Sequence, residues 1–239
     1  MGIIDKIVKK VEKIWYCRNN DAYIRYLRRK GIEIGENVLF RDRRTTRIDC
    51  TRPALISIGN NVDINHNFQI LTHDWGCYVI RGQYHDFINS SGGVRIGNNI
   101  YFGTDVIILK GVTIGDNCII GAGSIVNKSI PANSVATGNP CRVVCSLDEY
   151  YERRRQRGLA EAVEYVQAIR KRYGRNPFPN EMKEEFIYFV NKENAHDYEA
   201  GGIPIKAQLK FAYNEWLNKQ NPPFRSFEEF IKYVDSLSD

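Results

Sequence analysis

The stretch from Val94 to Ser129 reads VRIGNN-IYFGTD-VIILKG-VTIGDN-CIIGAG-SIVNKS, six-residue units that follow one another without a gap. Internal repetition of this kind limits the fold before any other feature is read. Val94, Ile100, Val106, Val112, Cys118 and Ser124 form one apolar or small column, and Ile96, Phe102, Ile108, Ile114, Ile120 and Val126 form a second. Residues two apart share a face of a strand, so each unit offers an inward pair on a short extended run. An α-helix is excluded, because 3.6 residues per turn would carry both columns around the cylinder. Glycine follows at Gly97, Gly103, Gly115 and Gly121, where the expectation is a turn that needs a backbone free of the Cβ penalty. The chain must therefore turn a corner every six residues. Three such sides close a coil, and stacked coils make a parallel β-solenoid.

Working outward, an earlier and noisier block keeps the same pattern: IEIGEN at Ile32, ISIGNN at Ile56, VDINHN at Val62 and FQILTH at Phe68. Between these, RDRRTTRIDCTRPAL holds the period poorly and places Arg52 in an inward column, so a locally irregular coil is expected there. Residues 74–93 abandon the period altogether and read as a loop excursion. The passage from Ile32 to Val144 resembles the hexapeptide-repeat acyltransferases, and more closely the galactoside and maltose O-acetyltransferases and enzymes that modify polysaccharides. That resemblance implies a mainly β fold, a left-handed parallel β-helix. The left hand comes from the resemblance alone, since the usual crossover preference is right-handed.

The 239 residues allow one substantial core and a smaller helical unit. An N-terminal helical segment is assigned to 1–31, the β-helix to 32–145 and a C-terminal α-helical appendage to 146–239. In the first, Ile3, Ile4, Ile7, Val8, Val11, Ile14 and Trp15 share one helical face opposite Lys6, Lys9, Lys10 and Lys13. A basic amphipathic helix suits an anionic membrane surface, but packing against the protein body is the favoured reading. A second short helix is expected from Asn20 to Lys30, ending at Gly31. In the appendage, Ser146 with Glu149 and Ser226 with Glu229 have capping-box spacing. Apolar stripes run through Leu159, Ala162, Val163, Val166 and Ile169, and through Phe227, Phe230, Ile231, Val234 and Leu237. A cap over the open end of the solenoid is the simplest use for this region, and a wall of the acceptor pocket or an oligomer contact the functional one.

No apolar run reaches the roughly 20 residues of a membrane span, and the N-terminus does not read as a secretory signal. The six cysteines show no CxxC pair, which points to a reducing cytoplasm rather than a disulfide framework. Net charge of +6 suits a polyanionic cofactor or an acidic polysaccharide. It does not argue for nucleic acid, because basic and aromatic residues are not interleaved for base stacking, and the arginines at 153, 154, 155 and 157 read as a solvated helix face.

Of the four histidines, His73 ends the earlier repeat block at the root of the excursion. Loops on rigid scaffolds concentrate binding groups. In the resembling acetyltransferases the catalytic histidine sits at this point, and His73 in ILTHDW matches it; Asp74 stands where the sugar acetyltransferases often have proline. An imidazole with an ordinary pKa near 6.5 takes the proton of a sugar hydroxyl at neutral pH. Asp74 is the candidate to orient it. Trp75, Tyr84 and His85 are candidate walls of an acceptor pocket, since aromatic rings suit sugar faces.

The segment GAGSIVNKSIPANSVATGNPCRVV is similar to the acetyl-CoA-binding end of the same enzymes. Gly121 and Ala122 are small enough for a pantetheine arm to run along the backbone, Lys128 and Arg142 suit its phosphates, and Pro140 can stiffen the loop beside adenine. By the same match Thr104 and Asn127 face the cofactor, and Thr104 lies one full coil before Ala122. The resemblance implies acetyl-CoA as co-substrate, a carbohydrate acceptor, and a homotrimer with sites between subunits. No metal is expected, because His66 and His73 lack the spacing of the zinc-binding β-helix enzymes. N-acetylation of an amino or nucleotide-linked sugar and a non-catalytic scaffold remain competing readings.

Overall fold

The computed structural model describes residues 15–237. The expected amphipathic helix before Trp15 lies outside the described residues. The chain divides into two compact units, one ending at Tyr151 and the other beginning at Glu152.

The first unit is a three-walled solenoid. Wall one stacks Glu33–Ile34, Ile56–Ile58, Val94–Ile96 and Thr113–Ile114. Wall two stacks Leu39–Phe40, Val62–Ile64, Ile100–Phe102, Cys118–Ile120 and Ser134–Thr137. Wall three stacks Arg47–Ile48, Gln69–Ile70, Ile107–Ile108 and Ile125–Val126. All these neighbours pair in parallel, and every residue of the two inward columns from Val94 to Val126 is buried. Ser124, polar but wholly buried, is satisfied: its hydroxyl donates to the Gly121 carbonyl at 2.6 Å and accepts from the Gly138 amide at 3.2 Å. Phe68 and Phe102 meet inside the coil with ring centroids 4.9 Å apart, a contact worth about 0.5–1.5 kcal/mol beyond the area it buries.

Regular rungs recur every eighteen residues, as Arg95 to Thr113 and Ile107 to Ile125. The coil containing RDRRTTRIDCTRPAL is longer, as expected: Glu33 pairs with Ser57 and Arg47 with Gln69. Its surplus is taken up by a turn at Asp42, whose carbonyl accepts from the Thr46 amide, and by a 3-10 turn at Pro53–Leu55.

The repeat glycines do a different job from the one expected. Positive φ occurs two residues later in each unit, at Asn99, Asp105, Asn117 and Gly123. Asparagine and aspartate tolerate that left-handed corner, and the corner amides then stack, Asn99 donating to Asn117 at 2.9 Å and Asn117 to Asn133 at 2.9 Å. Gly103 and Gly115 are needed for close approach instead. A Cβ on Gly103 would lie 2.5 Å from the Ala122 amide nitrogen, and one on Gly115 2.5 Å from that of Ala132.

Helix α1 (Asn20–Lys30) closes the N-terminal end, with the Asn19 side chain accepting from the Ala22 amide and Gly31 at φ 100 as its C-terminal stop. Tyr23 and Leu27 enter the solenoid core, and Tyr23 packs edge-on against Phe40 at 5.0 Å. Asn20 acts as a substitute strand for the exposed edge. Its amide donates to the Val38 carbonyl and accepts from the Phe40 amide. At the other end Arg142–Ser146 pairs antiparallel with Ser134–Thr137, so the chain covers that edge itself.

The excursion is not a plain loop: it contains helix α2 (Cys77–Tyr84), anchored by buried Cys77 and entered through the Asp74 carboxylate, which accepts from the Gly76 amide. Its twenty residues are inserted without disturbing the stacking, since Ser57 pairs with Arg95 across it.

The second unit is helical. Helix α3 (Leu147–Tyr173), which begins in the first unit, has the full capping box, with the Ser146 hydroxyl accepting from the Glu149 amide and the Glu149 carboxylate from the Ser146 amide. Ala162, Val163, Val166 and Ile169 pack in one core with Phe227, Phe230, Ile231 and Val234 of the helix Phe227–Ser236, while Leu237 is exposed. Among the described residues no helix is long and apolar enough to cross a membrane.

Candidate active site

Wall three delivers the chemistry. Its second rung runs Phe68, Ile70, Thr72, all buried, and leaves His73 at the edge where the coil gives way to the excursion. The root is pinned as a short antiparallel bridge between His73 and Ser91, with the Gly92 amide on the Thr72 carbonyl at 2.9 Å.

The carboxylate on the His73 ring is Asp49, one rung earlier on the same wall. Its Oδ2 lies 2.6 Å from His73 Nδ1, with side-chain exposures of 7% for Asp49 and 29% for His73. Thr72 Oγ1 donates to the same oxygen at 2.5 Å, and the Thr51 hydroxyl and amide donate to Oδ1 at 2.6 and 3.0 Å. Burial alone would raise the Asp49 pKa. The hydrogen bonds from Thr51, Thr72 and His73 outweigh it and hold the carboxyl well below the usual carboxylate range. An ionised carboxylate only accepts, so Nδ1 carries the proton and neutral His73 presents Nε2 as an acceptor. Among the described residues Nε2 has no hydrogen-bond partner, and the ring is partly open to solvent.

Asp74, the expected orienting residue, is engaged elsewhere. It is held by the Lys110 ammonium, by the Ser90 hydroxyl at 2.8 Å and by the Gly76 amide at 2.9 Å. The Lys110 contact, then the Gly76 and Ser90 bonds, keep its carboxyl far below the normal range. Asp74 thus ties the excursion to the next coil. The orienting contact is Asp49, which the sequence reading missed: the irregular coil between Phe40 and Ile56 hides the count that would align Asp49 with the end of the following rung.

Trp75 stacks edge-on against Phe87 at 6.1 Å, while Tyr84 ends α2 and His85 follows it at φ 54. These three lie in the excursion and are all exposed. Of the other histidines, His66 Nδ1 is 2.6 Å from Asn65 Oδ1, and in the second unit His196 Nδ1 is 3.7 Å from Asp197 Oδ1.

The cofactor candidates fall on two corners. Continuing the wall-three register from Ile70, Ile108 and Val126 places Thr72, Lys110 and Lys128 on successive rungs, so Lys128 shares a corner with His73 two rungs away, roughly 10 Å. Asn127 belongs to that corner, and its Oδ1 accepts from Arg142 at 3.2 Å; Arg142 also donates to the Cys141 carbonyl at 2.7 Å. Asn127, Lys128, Pro140 and Arg142 are all exposed. The corner between walls two and three carries the rest. The Thr104 carbonyl accepts from the Gly123 amide at 2.8 Å, which sets Thr104 beside Ala122 as the eighteen-residue spacing required, and Gly121 lies so close to Thr137 that a Cβ would be 2.5 Å from its hydroxyl.

Residues 93–128 match the family profile described as bacterial transferase hexapeptide (six repeats). The chain is 34% identical over 174 residues to protein CapG of Staphylococcus aureus, an alignment that covers 72% of this chain and 90% of CapG. The chain belongs to the hexapeptide-repeat acyltransferases. Within this family it is also 39% identical over 124 residues to galactoside O-acetyltransferase of Escherichia coli, covering 50% of this chain and 56% of that enzyme, little more than half its length. A solved maltose O-acetyltransferase from Clostridium difficile is 30% identical and covers 59% of this chain and 84% of its own, with a TM-score of 0.41. The matched repeats of this hexapeptide-repeat acyltransferase are those whose inward columns fill the core.

Proposed function

We propose that this acyltransferase moves the acetyl group of acetyl-CoA to a hydroxyl of a carbohydrate, a surface-polysaccharide precursor being the class of acceptor that its charge suits, by direct transfer with His73 as general base. The observation that carries the proposal is the hydrogen bond from Nδ1–H of His73 to the buried, ionised Asp49, which leaves Nε2 as an acceptor at an accessible edge. Nε2 takes the hydroxyl proton as the oxygen attacks the thioester carbonyl carbon. The tetrahedral oxyanion collapses, the C–S bond breaks, and the imidazolium returns its proton to the leaving thiolate, giving an O-acetyl ester and free CoA. Asp49 stabilises the imidazolium between these steps. A backbone amide is the natural donor to the oxyanion. No covalent acyl-enzyme is needed.

Asn127, Lys128, Pro140 and Arg142 at one corner, with Thr104, Gly121 and Ala122 at the other, form the cofactor-binding set of the proposal. The left hand of the coil and a homotrimer with shared sites belong to the same reading. Support for an assembly comes from the excursion, where Trp75, Tyr78, Val79, Tyr84, Phe87 and Ile88 are all exposed, an apolar display that monomers seldom carry. A cytoplasmic location follows from the donor.

The test is a product-mass assay with acetyl-CoA and paired sugars that differ in a hydroxyl or an amine at one carbon, preceded by thermal shifts with acetyl-CoA, CoA and ATP. A CoA-selective stabilisation of about 2.7 kcal/mol at a hundredfold excess over Kd, followed by acetylation of the hydroxyl sugar, is expected. Transfer to the amine alone replaces the O-acetyl reading, and no response at millimolar acetyl-CoA returns the protein to a scaffold. Arg142→Ala is expected to weaken CoA about tenfold more than dephospho-CoA, since a guanidinium on the 3′-phosphate makes charge-assisted bonds. Equal loss of both ligands by calorimetry would remove Arg142 from that phosphate.

A further inference from the structure

One side of α1 closes the solenoid, and the other carries cations that are exposed among the described residues. Arg18 in the turn before the helix and Arg25, Arg29 and Lys30 on it are exposed, and with Trp15, Tyr16 and Tyr26 they line an open groove of about 720 Å3. Arg28 differs from them: it is spent on the Ile34 and Gly35 carbonyls and on the Glu36 carboxylate. Two of these cations lie over aromatic rings of the same face. The Arg18 guanidinium lies 4.1 Å over the Trp15 ring and the Lys30 ammonium 5.5 Å over the Tyr26 ring, while Tyr16 and Tyr26 stack at 3.8 Å. Trp15 is 64% exposed. Asp21 is the one acid on the helix, and the sequence that runs into Trp15 adds Lys6, Lys9, Lys10 and Lys13 among isoleucines and valines.

A site for a small anion buries its polar anchors, whereas every cation here is at the surface. What matches a broad, exposed, cationic face rimmed by aromatic rings is an extended anionic plane, because tryptophan and tyrosine settle at the level of lipid headgroups and lysine and arginine are drawn to anionic ones. We propose that the α1 face docks this enzyme on an anionic phospholipid membrane. The proposal is independent of the acyl chemistry, because none of these residues belongs to the candidate active site.

The full chain is sedimented with vesicles of phosphatidylcholine and with vesicles that also contain phosphatidylserine, at low and high salt. Binding is expected only to the phosphatidylserine vesicles, and it weakens as salt rises. The double variant Arg25→Gln with Arg29→Gln, which leaves residues 1–14 intact, is expected to lose roughly 30-fold in partitioning, about fivefold per cation, with an unchanged melting temperature. Partitioning of the variant equal to that of the native chain overturns the proposal, as does equal binding to both vesicle types. A soluble anion arm, inorganic phosphate followed by calorimetry, is expected to show no site; saturable phosphate binding without vesicle binding also overturns it.

Discussion

His73→Ala is expected to lower kcat for acetyl transfer by about 100- to 10,000-fold, the range that a positioned general base supplies. Asp49 accepts from Nδ1 at 2.6 Å, so the free nitrogen of the neutral ring is the basic one, and the ring sits at the edge of wall three rather than inside the core. Alanine removes the base without opening a core cavity, because the buried residue of this pair is Thr72, one position earlier. The loss should therefore appear in kcat, with acetyl-CoA binding by calorimetry and the melting temperature near those of the native chain. A variant that retains activity within about threefold would take His73 out of the proton transfer.

Asp49→Asn is the second large effect, with an expected fall of roughly 100-fold in kcat and little change in the KM for acetyl-CoA. An amide at this position is nearly isosteric. It no longer forces the proton onto Nδ1, and it cannot stabilise the imidazolium, the two services that a buried carboxylate provides to a catalytic histidine. It also disturbs a satisfied cluster, because the carboxylate oxygens that accept from Thr51 and Thr72 are partly replaced by a donor. Stability provides a separate readout. The folded carboxyl is held below its unfolded value, so its contribution is fully present above about pH 5, begins to fall near the unfolded value of about 4, and is lost as pH falls through the lowered folded pKa. The stability gap between the native chain and Asp49→Asn should be constant from neutral pH down to about pH 5 and then narrow in acid. A gap that stays constant into strong acid would show that Asp49 is not held ionised by the fold. Asp74→Asn, in contrast, is expected to leave the His73 ring in place, since Asp74 serves Lys110, Ser90 and Gly76.

The period was legible because it is local and repeated. Each unit from Val94 onward states the same inward pair, and neighbouring rungs need only the regular count to pair, so the sequence alone sets all twelve column residues inside, where the structure buries them. Helix α1 was legible for a related reason: its stop signal, Gly31, lies beside the segment it ends, and the structure adds Asn19 as the N-cap. The repeat glycines were found but misread, since a glycine kept for positive φ and one kept for close stacking look alike in sequence. Only the distance from Gly103 to the backbone of Ala122, one coil on, separates the two.

The six-residue columns, the excursion at 74–93 and the histidine at its root were thus determined by sequence alone, through side-chain periodicity and its interruption. The partner of that histidine was decided by tertiary structure. Between Asp49 and His73 the 3-10 turn at Pro53–Leu55 breaks the count, so their meeting depends on how wall three stacks, through Ile48 on Ile70. Adjacency in sequence favoured Asp74, but residues that follow one another along an extended chain point to opposite sides, and the side that Asp74 takes is the one where Lys110 waits on the next rung.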